Sequence, residues 1–97
     1  MIIEIKKEIP IPYYYQIEKI LEESIENGEF RVNEFLPSER ELSAKFNVSK
    51  ITTRKALSNL EFKGLIKKVK GKGSIVSNKK IEGRILNKLI GTFKDLV

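Results

Sequence analysis

At 97 residues the chain has room for one compact domain and a tail, but not for two full domains. Its 40% hydrophobic and 33% charged residues are a globular balance, and the absence of Cys and His removes thiol chemistry, disulfides, the usual soft zinc ligands and the commonest general base. A formal charge of +6 points toward a polyanionic partner, and no apolar run is long enough for a signal peptide or a span, so the reading is a cytoplasmic protein that is not an enzyme.

The first twelve residues interleave Ile2, Ile3, Ile5, Ile9 and Ile11 with charge and end in Pro10 and Pro12, so residues 1–11 read as an arm or short strand. From Tyr13 a helical stripe of Tyr14, Ile17, Leu21 and Ile25 begins, with Ile20 beside it. Glu18, Glu22, Glu23 and Glu26 are expected largely on the outside. Asn27-Gly28 stops the helix, since glycine accepts a left-handed cap at little cost.

A connector from Phe30 to Phe35 leads to Leu36-Pro37-Ser38-Glu39-Arg40-Glu41, where Ser38 and Glu41 have the spacing of a capping box. The cap contributes on the order of 1 kcal/mol to a helix whose buried side is Leu42 and Phe46. Asn47-Val48 breaks the pattern, and Ser49 can cap a third helix running to about Lys63 before Gly64. Two helices joined by so brief a turn are a helix-turn-helix candidate. In the third helix Thr53, Ala56, Leu57 and Leu60 form the buried stripe, and Ile51, Arg54, Lys55 and Ser58 the opposite face.

After Gly64, Leu65 to Lys70 and Ser74 to Ser77 are β-prone runs around Gly71-Lys72-Gly73, a hairpin whose tip is free to take positive φ. The fold class expected is therefore mainly α with a small β-hairpin: a winged helix-turn-helix of three helices and a two- to three-stranded wing, spanning residues 12–78. Residues 79–97 place Ile81, Ile85, Leu89, Phe93 and Leu96 near every fourth position, and read as a linker and the start of a missing effector or dimerisation segment.

Charge is unevenly spread. Residues 1–29 hold seven Glu against three Lys, and the run from Phe62 to Ile81 holds seven Lys and no acid. The bland reading of that run is a solvated face; the sharper one is a phosphate-tracking surface, with Lys67, Lys68, Lys70 and Lys72 acting by charge and the third helix reading bases in the major groove. The start of that helix, at Ser49, Lys50, Ile51 and Thr52, also offers free N–H groups to a phosphate. Nucleotide binding fails on spacing, because a P-loop needs Gly where Ile66 stands and Ser or Thr where Gly73 stands, and a dinucleotide fingerprint needs Gly where Val76 stands. Ser38 has no base to activate it, and Tyr13, Tyr14 and Tyr15 suit packing better than base stacking.

The stretch from Pro12 to Val76 resembles the GntR-type DNA-binding domain. The resemblance is carried by "LPSERELS", by "VS-x-x-T-x-R-x-AL-x-x-L-x-x-x-G" and by a G-x-G wing, in the family's order. It implies a regulator, usually dimeric, that binds a roughly palindromic operator in double-stranded DNA under control of a C-terminal effector domain. It further implies DNA contacts from Arg40, Ser49, Lys50, Ile51, Thr52 and Arg54, and at the wing from Gly71, Lys72 and Gly73, to which the solvent face of the third helix and the wing charge add Lys55 and Lys70; no metal, catalytic residue or cofactor is implied. A surface ion pair with a nearby Glu is the alternative role for Arg40 and Arg54.

Three positions depart from the family's pattern. Lys50 stands where Arg is common and Ile51 where a polar residue is common, so a guanine-reading fork gives way to a point charge and an apolar side chain suited to a thymine methyl. An A·T-leaning half-site is the expectation. Thr53 replaces a more apolar residue on the buried stripe and is expected to weaken packing slightly. The tail resembles the linker and opening of the effector domain, called UTRA, of the HutC-like subfamily. On that reading the full-length protein is a homodimer and this chain a monomer or weak dimer. The rival from another class is a protein-interaction module whose basic wing grips an acidic partner.

Overall fold

The computed structural model describes residues 4–77. The chain forms three helices and a hairpin: α1 (Tyr13–Glu26), α2 (Glu39–Phe46), α3 (Lys50–Phe62), β1 (Ile66–Val69) and β2 (Gly73–Val76). The predicted helical limits hold closely at all three. The amphipathic segment expected beyond residue 78 lies outside the described residues.

Residues 4–12 carry no regular structure but are firmly docked. Ile5 is buried in the core, and the Gln16 side chain staples the segment to α1. Its amide accepts from the Lys6 N–H at 2.6 Å and donates to the carbonyls of Lys6 and Ile11 at 2.8 and 3.0 Å. Lys7 Nζ then donates to the Asn47 carbonyl at 2.7 Å, fastening the segment to the turn that follows α2. Such contacts satisfy backbone groups that an extended segment would otherwise leave to water.

The core gathers one stripe from each element: Ile17 and Leu21 from α1, Leu42 and Phe46 from α2, Ala56, Leu57 and Leu60 from α3, and Leu65, Ile66 and Val76 from the wing. Each large aliphatic side chain so buried contributes roughly 1.5–3 kcal/mol. One acid departs from the expected pattern. Glu18 is only 4% exposed, because the face of α1 it occupies turns toward the end of α3. Its carboxylate meets Lys63 Nζ at 2.6 Å and accepts from Asn59 Nδ2 at 3.0 Å; Glu22 joins through Lys63 at 3.2 Å. A buried carboxylate is tolerated only when its oxygens are partnered in this way.

The capping box at α2 is complete: Ser38 Oγ accepts from the Glu41 N–H and Glu41 Oε1 accepts from the Ser38 N–H, each at 3.0 Å. Asn47 closes α2 in the left-handed region at φ 54°, a conformation Asn accepts more readily than most residues. Across the short turn, Ser43 Oγ lies 2.8 Å from Thr53 Oγ1 and 2.7 Å from the Glu39 carbonyl. Thr53 is wholly buried, and its hydroxyl, expected only to loosen packing, meets Ser43 and so links α2 to α3.

The wing is an antiparallel pair with Ile66 opposite Val76 and Val69 opposite Gly73. The connector before α2 lines the other edge of β2: the Asn33 N–H donates to Val76, the Val76 N–H to Glu34 and the Leu36 N–H to Ser74, with an isolated bridge between Phe35 and Ile75. Two named strands thus behave as a three-stranded sheet. Glu61 covers part of the free edge of β1 by accepting from the Lys68 N–H at 3.1 Å.

Candidate nucleic-acid interface

The exposed side of α3 is polar along its middle and apolar at both ends. Lys50, Ile51, Arg54, Lys55 and Ser58 all face solvent, with Ile51 76% exposed. An isoleucine so exposed gains nothing from the fold. The same stripe ends at Phe62, 94% exposed, about 16 Å further along the axis at 1.5 Å per residue.

Ser49 caps α3 through its side chain, which accepts from the Thr52 N–H at 3.1 Å and lies 2.8 Å from Thr52 Oγ1. The two hydroxyls expected to meet DNA therefore serve one another in the free chain. The N–H groups of Lys50 and Ile51 remain at the open helix end, where the helix dipole favours an anion.

Arg54 reaches back to the first turn of α2. Its Nε and Nη2 donate to one oxygen, Glu39 Oε1, at 3.2 and 2.9 Å. The Glu39 hydrogen bond and charge hold the guanidinium pKa above its ordinary value, so Arg54 stays cationic. Arg40, for which the same alternative stood open, makes no ion pair among the described residues and is exposed beside Glu39. Lys55 is drawn the other way, with Nζ 4.2 Å from the ring centroid of Tyr14 on α1. Of the three tyrosines only Tyr14 packs against the core; Tyr13 and Tyr15 are exposed and lie beneath Lys7 and Lys19.

At the wing, a tight turn closes on the Lys72 N–H to Val69 carbonyl bond of 2.9 Å, and Gly71 and Gly73 take φ of 77° and 115°. An L side chain at either position is strained, so glycine here is a backbone requirement. The turn holds Lys70 and Lys72 outward at the tip, with Lys67 and Lys68 exposed along β1. Of the lysine run, Lys63 is diverted inward. Burial alone would lower its pKa, but the hydrogen bonds and charges of Glu18 and Glu22 outweigh burial and raise it.

The exposed face of α3 and its open end stand beside the basic wing, and the family model of bacterial regulatory proteins, gntR family, matches residues 13–76. The chain belongs to the GntR family. This GntR-family chain is 49% identical over 78 residues to the HTH-type transcriptional repressor NagR of Bacillus subtilis, an alignment covering 80% of the chain and 32% of the relative. It is 44% identical over 66 residues to the transcriptional regulator TreR of the same organism, covering 68% of the chain and 28% of the relative. The chain thus spans about a third of the length of these curated relatives. Among solved structures, the DNA-binding domain of AraR in complex with operator ORE1 superposes with a TM-score of 0.69 at 33% identity, covering 75% of this chain and 89% of that one. The family is one of bacterial regulatory proteins.

Sequence reasoning held open an ion pair between Arg54 and a nearby Glu without naming Glu39, and it missed Glu18 as an interior acid and Gln16 as the staple of the N-terminal segment. No local spacing signals any of these. Most of the partners lie 10 or more residues apart, as with Gln16 and Lys6, or far more, as with Glu18 and Asn59.

Proposed function

We propose that this chain reads duplex DNA in a sequence-specific manner as the DNA-binding part of a transcriptional repressor. The observation that carries the reading is the paired geometry of α3 and the wing: a solvent-facing helix with Ile51 and Arg54 outward, beside a hairpin that presents Lys70 and Lys72. A helix of this kind fits the major groove, and the lysines supply counterion release without sequence information. The likeness to a domain solved on its operator supports the same reading.

The DNA contacts assigned are Arg40, Lys50, Ile51 and Arg54 on the helices, Ser49 and Thr52 at the helix start, and Lys70 to Gly73 at the wing, with Lys55 joining once it leaves Tyr14. The proposal extends to a cytoplasmic regulator, to residues 12–78 as the reading unit, and to a HutC-like arrangement with an effector domain. It extends likewise to a homodimeric full-length protein on a palindromic operator, and to a monomer or weak dimer for this chain, which sedimentation of each would check. Ile51 gives the operator its expected A·T lean. Its apolar surface is repaid for exposure when it meets a thymine methyl.

Selection from a pool of random duplexes tests the reading directly. The expected outcome is one enriched half-site motif with A·T pairs under Lys50 and Ile51. Recovery of no motif contradicts sequence reading, and a G·C-rich motif at those positions contradicts the role given to Ile51.

A further inference from the structure

We infer that Glu39 is a positioning residue for specificity: it locks the Arg54 guanidinium so that only its outer edge is available to read a guanine. The inference rests on the DNA-reading function proposed above and names the residue that sharpens it.

A guanidinium carries five N–H donors in a fixed plane. In this chain the edge formed by Nε and Nη2 is taken up, since both atoms donate to Glu39 Oε1 at 3.2 and 2.9 Å. What remains is the far edge, with both hydrogens of Nη1 and the second of Nη2. Two parallel donors on that edge match the O6 and N7 acceptors of guanine in the major groove. An unpaired arginine at the same position swings among rotamers and can settle on a phosphate beside any base. Fixed by Glu39, Arg54 keeps one orientation, and the ordering cost of binding is already met in the free protein.

The placement of acid strengthens the case. Glu39 and Glu61 both line the cleft of about 100 Å³ between α2, α3 and the wing, with Arg54 and Lys68. A carboxylate facing a polyanion weakens binding to every duplex alike. Here Glu61 is accounted for by the Lys68 N–H. Glu39 has a helix start to stabilise, but that role places no demand on its reaching across to α3. Its carboxylate is three-quarters buried there, at 26% exposed against 59% for the Arg54 side chain. The half-site then divides by chemistry: a guanine under Arg54 and A·T pairs under Lys50 and Ile51.

The test measures affinity by fluorescence anisotropy for the selected duplex, for a panel carrying each single base-pair change, and for a random duplex. The proteins are the wild-type chain, Glu39→Gln, Glu39→Asp, Arg54→Gln and the Glu39→Gln/Arg54→Gln pair, with thermal melts to check folding. Arg54→Gln marks the position that Arg54 reads. At that position Glu39→Gln is expected to lose about tenfold of its discrimination, while other positions keep theirs and the random duplex binds no more weakly. The double variant should lose nothing beyond Arg54→Gln. Glu39→Asp keeps the charge and the helix-start acid but is one methylene shorter, and is expected to stay impaired. Full discrimination in Glu39→Gln, rescue by Asp, or an even loss at every position in a folded variant overturns the inference. Failure of the wild-type chain to prefer the selected duplex over the random one overturns instead the underlying DNA-reading proposal.

Discussion

Glu18 and Thr53 are polar side chains in places where an apolar residue is the simpler choice, and both hold α3 from behind. Thr53 reaches Ser43 on α2, so its hydroxyl fixes the angle of the helix pair as well as filling space. Thr53→Val should cost about 1 kcal/mol, read as a midpoint some 4–8 °C lower in a thermal melt; an unchanged midpoint would return Thr53 to the loosening role its sequence suggested. Glu18 is a separate case. Burial raises its pKa, but the hydrogen bonds from Lys63 and Asn59 and the Lys63 charge outweigh that and hold it below the ordinary carboxylate range. A carboxyl with a lowered folded pKa adds stability that is complete above its unfolded pKa and lost as pH falls through the folded value. Stability should therefore decline below about pH 4.5, and Glu18→Gln should flatten that decline while costing roughly 1–2 kcal/mol at neutral pH. Denaturation curves across the acid range decide it. Lys63, its pKa raised, gives the opposite sign: its share persists below its unfolded pKa and is lost only as strongly alkaline pH passes the folded one.

At the scale of elements, the wing and the helix caps make separable predictions. Lys70→Ala and Lys72→Ala should each reduce the slope of log affinity against log salt by roughly one, with base preference intact. A change of preference without a change of slope would place these lysines on bases instead of phosphates. Ser38→Ala breaks a capping box that is complete, and should cost about 1 kcal/mol in a chemical melt. The elements were largely legible in the sequence because their signals are local: the Ser38 and Glu41 spacing, the Ser49 cap, the 3.6-residue stripe of α3 and the glycines of the wing tip. The third edge of the sheet was harder to see. Residues 33–36 look like a connector, and their pairing with β2 depends on a hairpin 40 residues downstream, as in the Asn33 to Val76 bond.

For the molecule as a whole, the charge asymmetry seen in the sequence is sorted by the fold more finely than composition suggested. The lysine run splits, with Lys63 turned inward to Glu18 and Glu22 and the wing lysines turned outward. The exposure of the proposed site residues was legible, since the outward placement of Arg54, Ile51 and Lys72 follows from helical phase and turn chemistry. Less legible is the state in which the fold holds them: which Glu clasps Arg54, the seat of Lys55 over Tyr14, and the Thr52 hydroxyl beside that of Ser49. These depend on contacts between elements, which periodicity does not encode. In the free chain the proposed interface is thus partly internally paired, and on the proposed reading DNA displaces some of those pairs and uses others.

The central claim is that the exposed face of α3 reads sequence while the wing supplies charge. Its most direct measurement is the affinity of the wild-type chain for its selected duplex and for a scrambled duplex, each titrated over salt. The account expects both affinities to fall steeply and in parallel as salt rises, with a preference for the selected site of about a thousandfold or more that survives throughout. Equal affinity for the two duplexes at every salt concentration would contradict it.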